Sequence, residues 1–295
     1  MEYKELNNKF QEGFRPNYRT TDHIFAIKTI INKYLHKLNK PNFACFVDFS
    51  KAFDTVWHLD LFNKLLDLKI GGIVYKTIKF MYSNSKFIVK KEKYISVVCK
   101  THRGVWQGAG LNPLLFNLYK NDLPNIFDYS ITDPVSLDVR WLNCLLYADD
   151  LILLSESEKG LQSCLDNLNS YCNRWKLKIN IPKPKVIVFS KGKRKTDNLK
   201  FYIENKKIEV VGKYKYIGVI VSYNGNLKFA DEQLCNKGLK AVFSLKSKIL
   251  DLNFSDMKLK LKLYDSLIRP IISYGSEIWI SDFTQKELKS ENLPF

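Results

Sequence analysis

The sequence contains no Cys-x-x-Cys pair, although it has six cysteines, and most of these lie inside apolar stretches. This pattern indicates buried free thiols in a reducing compartment and argues against a disulfide framework. No apolar stretch approaches the roughly 18 residues that a membrane-spanning helix needs. The charged N-terminus, Met1 to Glu5, also lacks the apolar core of a signal peptide. We therefore expect an intracellular protein of the nucleus or the cytoplasm, neither secreted nor inserted in a membrane.

Acidic residues are few relative to basic ones. Asp and Glu number 30 against 47 Lys and Arg in 295 residues, which gives a formal net charge of +17. Such an excess favours a polyanionic partner, either a nucleic acid or an anionic membrane surface. A plainer interpretation, a lysine-rich soluble surface, stays open on charge alone. The hydrophobic share of 45% is that of an ordinary globular protein, which excludes a wholly disordered chain.

Hydrophobic periodicity predicts an α+β body followed by a helical segment, with the boundary near residues 223–230. Helical spacing predicts helices at 22–38, 59–69, 72–82, 111–121, 158–175 and from 234 onward. Short apolar runs predict strands at 43–49, on both sides of a turn within 142–154, and near 185–190, 200–210 and 214–222. Residues 86–99 predict a lysine-rich hairpin. It is either a charged surface that protects a sheet edge or a finger that lies on a phosphate backbone.

Three carboxylates are candidate functional residues, because each interrupts or ends an apolar run. Asp149 and Asp150 are adjacent in a turn between two apolar stretches, and Asp48 ends the apolar run that begins at Phe43. Neighbouring acids beside a core are electrostatically costly, and a divalent cation such as Mg²⁺ is their natural compensation. If the strands are neighbours, the three acids converge and could hold two metals for in-line phosphoryl transfer. The alternative is a solvated acidic turn and an unrelated acid at a strand end.

Five short segments resemble the motifs of reverse transcriptases of the non-LTR (LINE-like) retrotransposon type. Motif A is matched by FVDFSKAFD at 46–54, and motif B by GVWQG at 104–108 followed by LNPLLFN at 111–117. Motif C is matched by YADD at 147–150, and motif D by WKLKIN at 175–180 continuing to KPK at 183–185. The primer-grip motif E is matched by YKYIG at 214–218. The segments starting at Gly13 and at Tyr274 resemble the stretches that flank these motifs in the family. The resemblance thus extends, in order, over residues 11–280.

The resemblance implies a set of residues for the chemistry. Asp48 and Asp149 would bind two divalent ions, Mg²⁺ or Mn²⁺. Asp150 would complete the carboxylate triad, and Phe49 would lend its backbone carbonyl to a metal. Lys183 would protonate the pyrophosphate leaving group, although a solvated surface position for this lysine stays open.

The resemblance also implies residues for substrate binding. Phe53 would be the steric gate that excludes a 2′-hydroxyl, with plain core packing as the alternative. Gln107 and Gly108 would contact the incoming nucleotide and the template base, and Gly108 would let the backbone come close. Tyr216 and Gly218 would lie at the primer terminus. The partners implied are an RNA template, a DNA primer and dNTP substrates, whereas the oligomeric state stays open.

The fold that the resemblance implies is α+β with a right-hand polymerase architecture. Residues 1–40 would be residual fingers, 41–225 a palm whose antiparallel sheet packs on helices, with a fingers hairpin at about 84–103, and 226–295 a helical thumb and the following segment. Trp106 stands where motif B usually has Arg, and the resemblance begins after the family's first finger segment. We therefore keep two hypotheses, an RNA-directed DNA polymerase core and a catalytically weak or inactive fragment that still binds nucleic acid. Another two-metal nucleotidyl transferase with a palm fold would leave motifs B and E unexplained.

Overall fold

The structure is a computed structural model that describes residues 10–106, 108, 110–192, 198–251 and 256–280. Contacts divide the chain into two compact units. The first contains the described residues of 1–23, 42–186 and 195–210, and the second contains those of 24–41, 187–194 and 211–295. None of the helices in the described ranges is long and apolar enough to cross a membrane.

The first unit alternates short helices with strands. Its helices are α2 (Ala52–Thr55), α3 (His58–Asp67), α4 (Gly72–Ser83), α5 (Asn112–Tyr119), a 3₁₀ turn (Leu123–Ile126), α6 (Tyr129–Thr132) and α7 (Glu158–Arg174). Its strands are β1 (Asn42–Asp48), β2 (Lys86–Phe87), β3 (Lys90–Lys91), β4 (Tyr94–Ile95), β5 (Cys99–Lys100), β6 (Val135–Leu137), β7 (Arg140–Leu142), β8 (Cys144–Tyr147), β9 (Asp150–Ser155), β11 (Phe201–Ile203) and β12 (Lys206–Val210). The strand β10 (Lys185–Phe189) begins in this unit.

A six-stranded sheet in the order β11-β12-β10-β1-β9-β8 forms the core. The pairs β1–β9, β8–β9 and β11–β12 are antiparallel, whereas β10 and β12 run parallel. Six residues of β1 and five of β9 are buried, as expected of central strands covered on both faces. The apolar face of α7, which includes Leu161, Leu165 and Leu168, is buried, and this helix packs on β1 and β9. The sequence prediction of an α+β fold is confirmed.

Outside this sheet the unit carries smaller hairpins. The predicted lysine-rich hairpin is present, with β3 paired to β4 around Glu92 and Lys93 and β2 paired to β5. A second hairpin, β6–β7, was not predicted because its short strands are interrupted by polar residues. Both hairpins expose large apolar side chains, such as Val97 and Val139.

The second unit is mainly helical. It contains most of α1 (Thr20–Asn32), which continues as a π-helical turn (Lys33–Lys37), and the hairpin of β13 (Lys213–Tyr216) and β14 (Val219–Ser222). Its other helices are α8 (Lys228–Asp251), α9 (Met257–Leu263), a π-helical turn (Tyr264–Ile268), α10 (Arg269–Ile272) and α11 (Ser276–Trp279). The first long helix after the hairpin begins at Lys228, six residues before the predicted start. The division into 1–40, 41–225 and 226–295 stays a prediction.

Candidate active site

The register of β1, β8 and β9 brings three acids to one end of the sheet. Asp48 lies directly opposite Asp150 in the β1–β9 pair. Tyr147 pairs with the same Asp150 in the β8–β9 hairpin, so Ala148 and Asp149 form its two-residue turn. Because directly opposed residues of antiparallel strands have Cα atoms only about 5 Å apart, the three carboxylates share one small region.

The turn is strained and is braced by the N-terminal segment. Ala148 has φ +53°, a left-handed conformation that costs a residue other than glycine about 1 kcal/mol. The buried Gln11 accepts a hydrogen bond from the Ala148 N–H at 3.2 Å and donates to its carbonyl at 3.4 Å. A Cβ atom on Gly13 would come within 2.1 Å of the Ala148 nitrogen. The turn therefore requires glycine at position 13 for its close approach to this segment.

A buried lysine lies beneath the turn. Lys120, at the end of α5, is 1% exposed, and its ammonium donates to the Ala148 carbonyl. The same ammonium lies 4.7 Å from the ring centroid of Phe116 and 5.9 Å from that of Phe49. Gln11 and Lys120 thus hold one carbonyl from two directions, which opposes relaxation of the strained turn.

Burial and the close packing of charged groups in this region shift the pKa values of Asp150 and Lys120. Burial, followed by the charges of Asp149 and Asp48, raises the pKa of the Asp150 carboxyl to about 6, against the opposing effect of Lys120 and Lys183. Burial also lowers the pKa of the Lys120 ammonium to about 7, although Asp149 and Asp150 favour its charged form. The site therefore holds its acids at an electrostatic cost that a bound cation would relieve.

Asp48 is hydrogen-bonded by residues of the segment that follows α7. Its Oδ2 atom accepts hydrogen bonds from Lys183 Nζ at 2.7 Å and from Asn180 Nδ2 at 3.1 Å. The backbone N–H of Asn180 also donates to the Asp48 carbonyl at 2.9 Å. Next to it, Phe49 pairs with Ile179 in an isolated bridge. Residues 179–183 therefore form one wall of the acid region, and Lys183 reaches it even though its side chain is 59% exposed.

The residues predicted for the nucleotide pocket are only partly described. Phe53 is half-buried, with its ring centroid 4.9 Å from that of Phe116 and 6.3 Å from that of Phe14. Gly108 has φ +89°, and a Cβ atom there would meet nothing within 4 Å. Gln107 lies outside the described residues. The open space at Gly108 leaves room for a ligand against the backbone.

The predicted primer-grip residues belong to the second unit. They lie at the β13–β14 turn, where Ile217 and Gly218 both have positive φ, as a two-residue type I′ hairpin turn requires. Tyr216 is buried, and the carbonyl of Ile217 accepts a hydrogen bond from the Tyr274 hydroxyl at 3.0 Å. A Cβ atom on Gly218 would lie 3.0 Å from the Tyr274 ring. The role of both residues at a primer stays a prediction.

The donor set of the acid region suits a hard divalent cation. Carboxylate oxygens and backbone carbonyls are the ligands that Mg²⁺ and Mn²⁺ prefer. Within the described ranges, no group of three or more His, Cys, Asp and Glu side chains encloses a metal-sized space. Asp48 instead accepts from Lys183 and Asn180. An ion bound through Asp48 Oδ2 would therefore compete with Lys183 and Asn180 for this oxygen.

Comparison with known proteins identifies the family. Residues 1–221 match the family model described as "Reverse transcriptase (RNA-dependent DNA polymerase)". The chain belongs to the reverse transcriptase family. The predicted resemblance to retrotransposon reverse transcriptases is therefore confirmed, and all five matched segments lie within residues 1–221.

The curated relatives of this reverse transcriptase chain are proteins of mobile elements. It is 28% identical over 281 residues to the probable RNA-directed DNA polymerase from transposon BS of Drosophila melanogaster. It is 26% identical over 279 residues to the RNA-directed DNA polymerase from mobile element jockey of Drosophila funebris. The alignments cover 91% and 92% of this chain but only 30% and 29% of those proteins. The chain thus spans about a third of the length of these relatives.

Solved structures with the same fold include telomerases. Telomerase from Candida albicans, solved with a fragment of telomeric RNA, aligns with a TM-score of 0.52 at 12% identity, covering 95% of this chain and 51% of the telomerase. Apo telomerase from Candida tropicalis aligns with a TM-score of 0.51 at 14% identity, covering 72% of this chain and 39% of that one. At such identities the likeness concerns the fold alone.

Sequence reasoning missed three residues of this region. Asn180 lies within motif D, yet the resemblance implies no role for it, and nothing in its local sequence indicates the contact with Asp48. Gln11 lies 137 residues from the turn that it braces, a contact that no local pattern reveals. Lys120 did leave a signal, because it follows Phe116 by one helical turn on the buried face of α5.

Proposed function

We propose that this chain is the polymerase core of an RNA-directed DNA polymerase, which extends the 3′-hydroxyl of a DNA primer with dNTPs on an RNA template. The observation that carries this proposal is the meeting of Asp48, Asp149 and Asp150 at one end of the sheet in a reverse transcriptase family chain. The net charge of +17 suits a nucleic-acid partner. Residues 41–225 would form the palm of this core and residues 226–295 its thumb.

The acids would hold two divalent ions. Asp48 and Asp149 would be the main ligands, Asp150 would complete the set, and Phe49 would add its backbone carbonyl. Bound Mg²⁺ or Mn²⁺ supplies activation of the primer hydroxyl and charge stabilisation at the leaving group. The raised pKa of Asp150 supports this assignment, since a cation would favour the ionised carboxyl.

Other side chains would position the substrates and move a proton. Lys183 would leave Asp48 and donate a proton to the pyrophosphate, and its ion pair shows that it reaches the acid region. Phe53, whose ring packs on that of Phe116, would stack near the sugar and exclude a 2′-hydroxyl. Gly108, with Gln107, would receive the incoming nucleotide, and Tyr216 and Gly218 would contact the primer end.

Primer extension tests the proposal. The purified chain is given an RNA template, a labelled DNA primer, dNTPs and Mg²⁺ or Mn²⁺, beside an Asp149→Asn, Asp150→Asn double variant. Asp138→Asn is the matched control, because it makes the same change in the exposed turn of the β6–β7 hairpin. We expect extension by the parent and the control and none by the double variant.

Two results would contradict the polymerase assignment. Extension by the double variant would remove the acids from the chemistry. No extension by the parent, with duplex binding that weakens as salt rises in parent and double variant alike, would favour the inactive nucleic-acid-binding fragment.

A further inference from the structure

The first unit has a second concave site, separate from the three acids. It is a cleft of about 530 Å³ whose charged lining comprises Arg103, Lys176, Lys178 and Glu204. Trp57 lies on one wall, and the buried Leu177 contributes to the apolar lining. The volume lies within the range of small-molecule sites, and a mixed apolar and charged lining is typical of them.

Backbone pairing fixes the walls of this cleft. Trp57 and Arg103 form an isolated bridge, which places them side by side. On the other wall, the Ser50 N–H donates to the Lys178 carbonyl at 2.7 Å, and Ile179 pairs with Phe49. These contacts fix the backbone of both walls. The positions from which the side chains of Arg103 and Lys178 extend are therefore defined.

The wall of residues 178–181 has two faces. Asn180 reaches Asp48, whereas Ile179 and Ile181 line the cleft. Lys178 lines the cleft as well. The cleft and the acid region are therefore separated by this one segment of chain.

The charges of the cleft select an anion with an apolar part. Lys176 is already paired with Asp60 at 3.0 Å and covers the Trp57 ring at 4.6 Å. In the described part of the chain, Arg103 and Lys178 have no ion pair, and Glu204 is the one carboxylate in the lining. Arg guanidinium and Lys ammonium groups are the usual donors to phosphate oxygens. Ile179, Ile181 and Leu177 offer an apolar surface for a flat ring beside them.

We propose that this cleft binds a nucleoside polyphosphate, with its phosphates on Arg103 and Lys178 and its base against Ile179 and Ile181. The site goes beyond the polymerase assignment and does not depend on it, because its ligand is held without the three acids. The same phosphate chemistry is offered by inorganic pyrophosphate, which lacks the base. Binding of single-stranded nucleic acid is a different outcome that the experiment separates.

Displacement of a fluorescent trinitrophenyl-ATP probe tests this site. The full chain is titrated in EDTA, so that metal-dependent binding at the acids is suppressed. The variants are Arg103→Gln, Lys178→Gln, their combination, and the Asp149→Asn, Asp150→Asn double variant. Lys159→Gln is the matched control, since Lys159 is an exposed lysine on α7 away from the cleft lining. Thermal unfolding of each variant confirms that it is folded.

We expect the parent, the acid double variant and the control to bind the probe alike. The combined variant should bind it at least about tenfold more weakly, as expected from loss of charge-assisted hydrogen bonds. Unlabelled ATP or dNTP should displace the probe at lower concentration than pyrophosphate does. The proposal is wrong if the parent fails to bind, if only the acid variant loses binding, if pyrophosphate competes as well as the nucleotides, or if an oligonucleotide is the better competitor.

Discussion

Asp150→Asn gives a direct test of the electrostatics of the acid region. The pKa of the Asp150 carboxyl is raised from 3.8 to about 6 by burial and by Asp149 and Asp48. Between these two pH values the folded protein binds a proton that the unfolded chain has released. The free energy of unfolding therefore falls as pH rises from about 4 to 6. Above this range the Asp150 carboxyl is ionised in both the folded and the unfolded state, and it causes no further change of stability with pH.

The size of the effect follows from the shift. A difference of about 2 pH units corresponds to about 3 kcal/mol at roughly 1.4 kcal/mol per unit. Asp150 is only partly buried, so screening by solvent reduces the expected value to about 1–2 kcal/mol. Asparagine keeps the shape of the side chain and removes its charge. In EDTA at pH 7.5, the Asp150→Asn variant should be more stable than the parent by this amount, and the two should converge near pH 4.

Urea unfolding of both proteins at pH 4 to 7.5 measures the difference, first in EDTA and then in Mg²⁺. Mg²⁺ should narrow the gap at pH 7.5, because it stabilises the parent by binding its acids. Asp138→Asn, in the exposed turn of the β6–β7 hairpin, should show no such pH-dependent gain. Equal pH slopes in parent and Asp150→Asn would refute the electrostatic reasoning, and a gap that Mg²⁺ leaves unchanged would refute a contribution of Asp150 to metal binding.

Three further changes probe other contacts. Burial lowers the pKa of Lys120 to about 7, so the free energy of unfolding of the parent should rise as pH rises from 7 to 10. Urea unfolding at pH 6.5 and 9.5 measures this gain, and Lys120→Met should lack it. Phe53→Ala should raise ribonucleotide incorporation relative to deoxyribonucleotide incorporation in primer extension, and an unchanged ratio would leave Phe53 as core packing. Gly218→Ala should lower stability by about 1–2 kcal/mol, since φ is +84° and the Tyr274 ring lies 3.0 Å from the new Cβ. Gly192→Ala is the thermal-unfolding control, because a Cβ there meets nothing within 4 Å.

The strands of the acid region could be predicted because their signals are local. β1 and β9 are continuous apolar runs, each bounded by an aspartate, and such runs are typical of central strands. The predicted and observed bounds of β1 differ by one residue at each end. The sequence does not predict which strands pair, because pairing depends on the whole sheet. The position of Asp48 opposite Asp150 therefore had to come from the structure.

The support of the turn could not be predicted, because it comes from distant parts of the chain. Gln11 and Lys120 both reach the Ala148 carbonyl, yet neither is near it in sequence. Lys120 also contradicts the general rule that lysines are exposed. Only the fold shows that this lysine lies at the end of a buried helix face and donates to the carbonyl of the strained residue Ala148.

The brace between Gln11 and Ala148 has a consequence for how the site is assembled. The two residues are separated by 137 positions, so the acid turn cannot acquire its final geometry from local folding, and a contact of such high sequence separation forms slowly. On a ribosome, the segment around Gln11 is made first, so it must stay available until the turn at Ala148 has been synthesised. A chain cut after residue 15 should then lose the geometry of the turn, and a synthetic peptide of residues 10–15 added in trans should restore it.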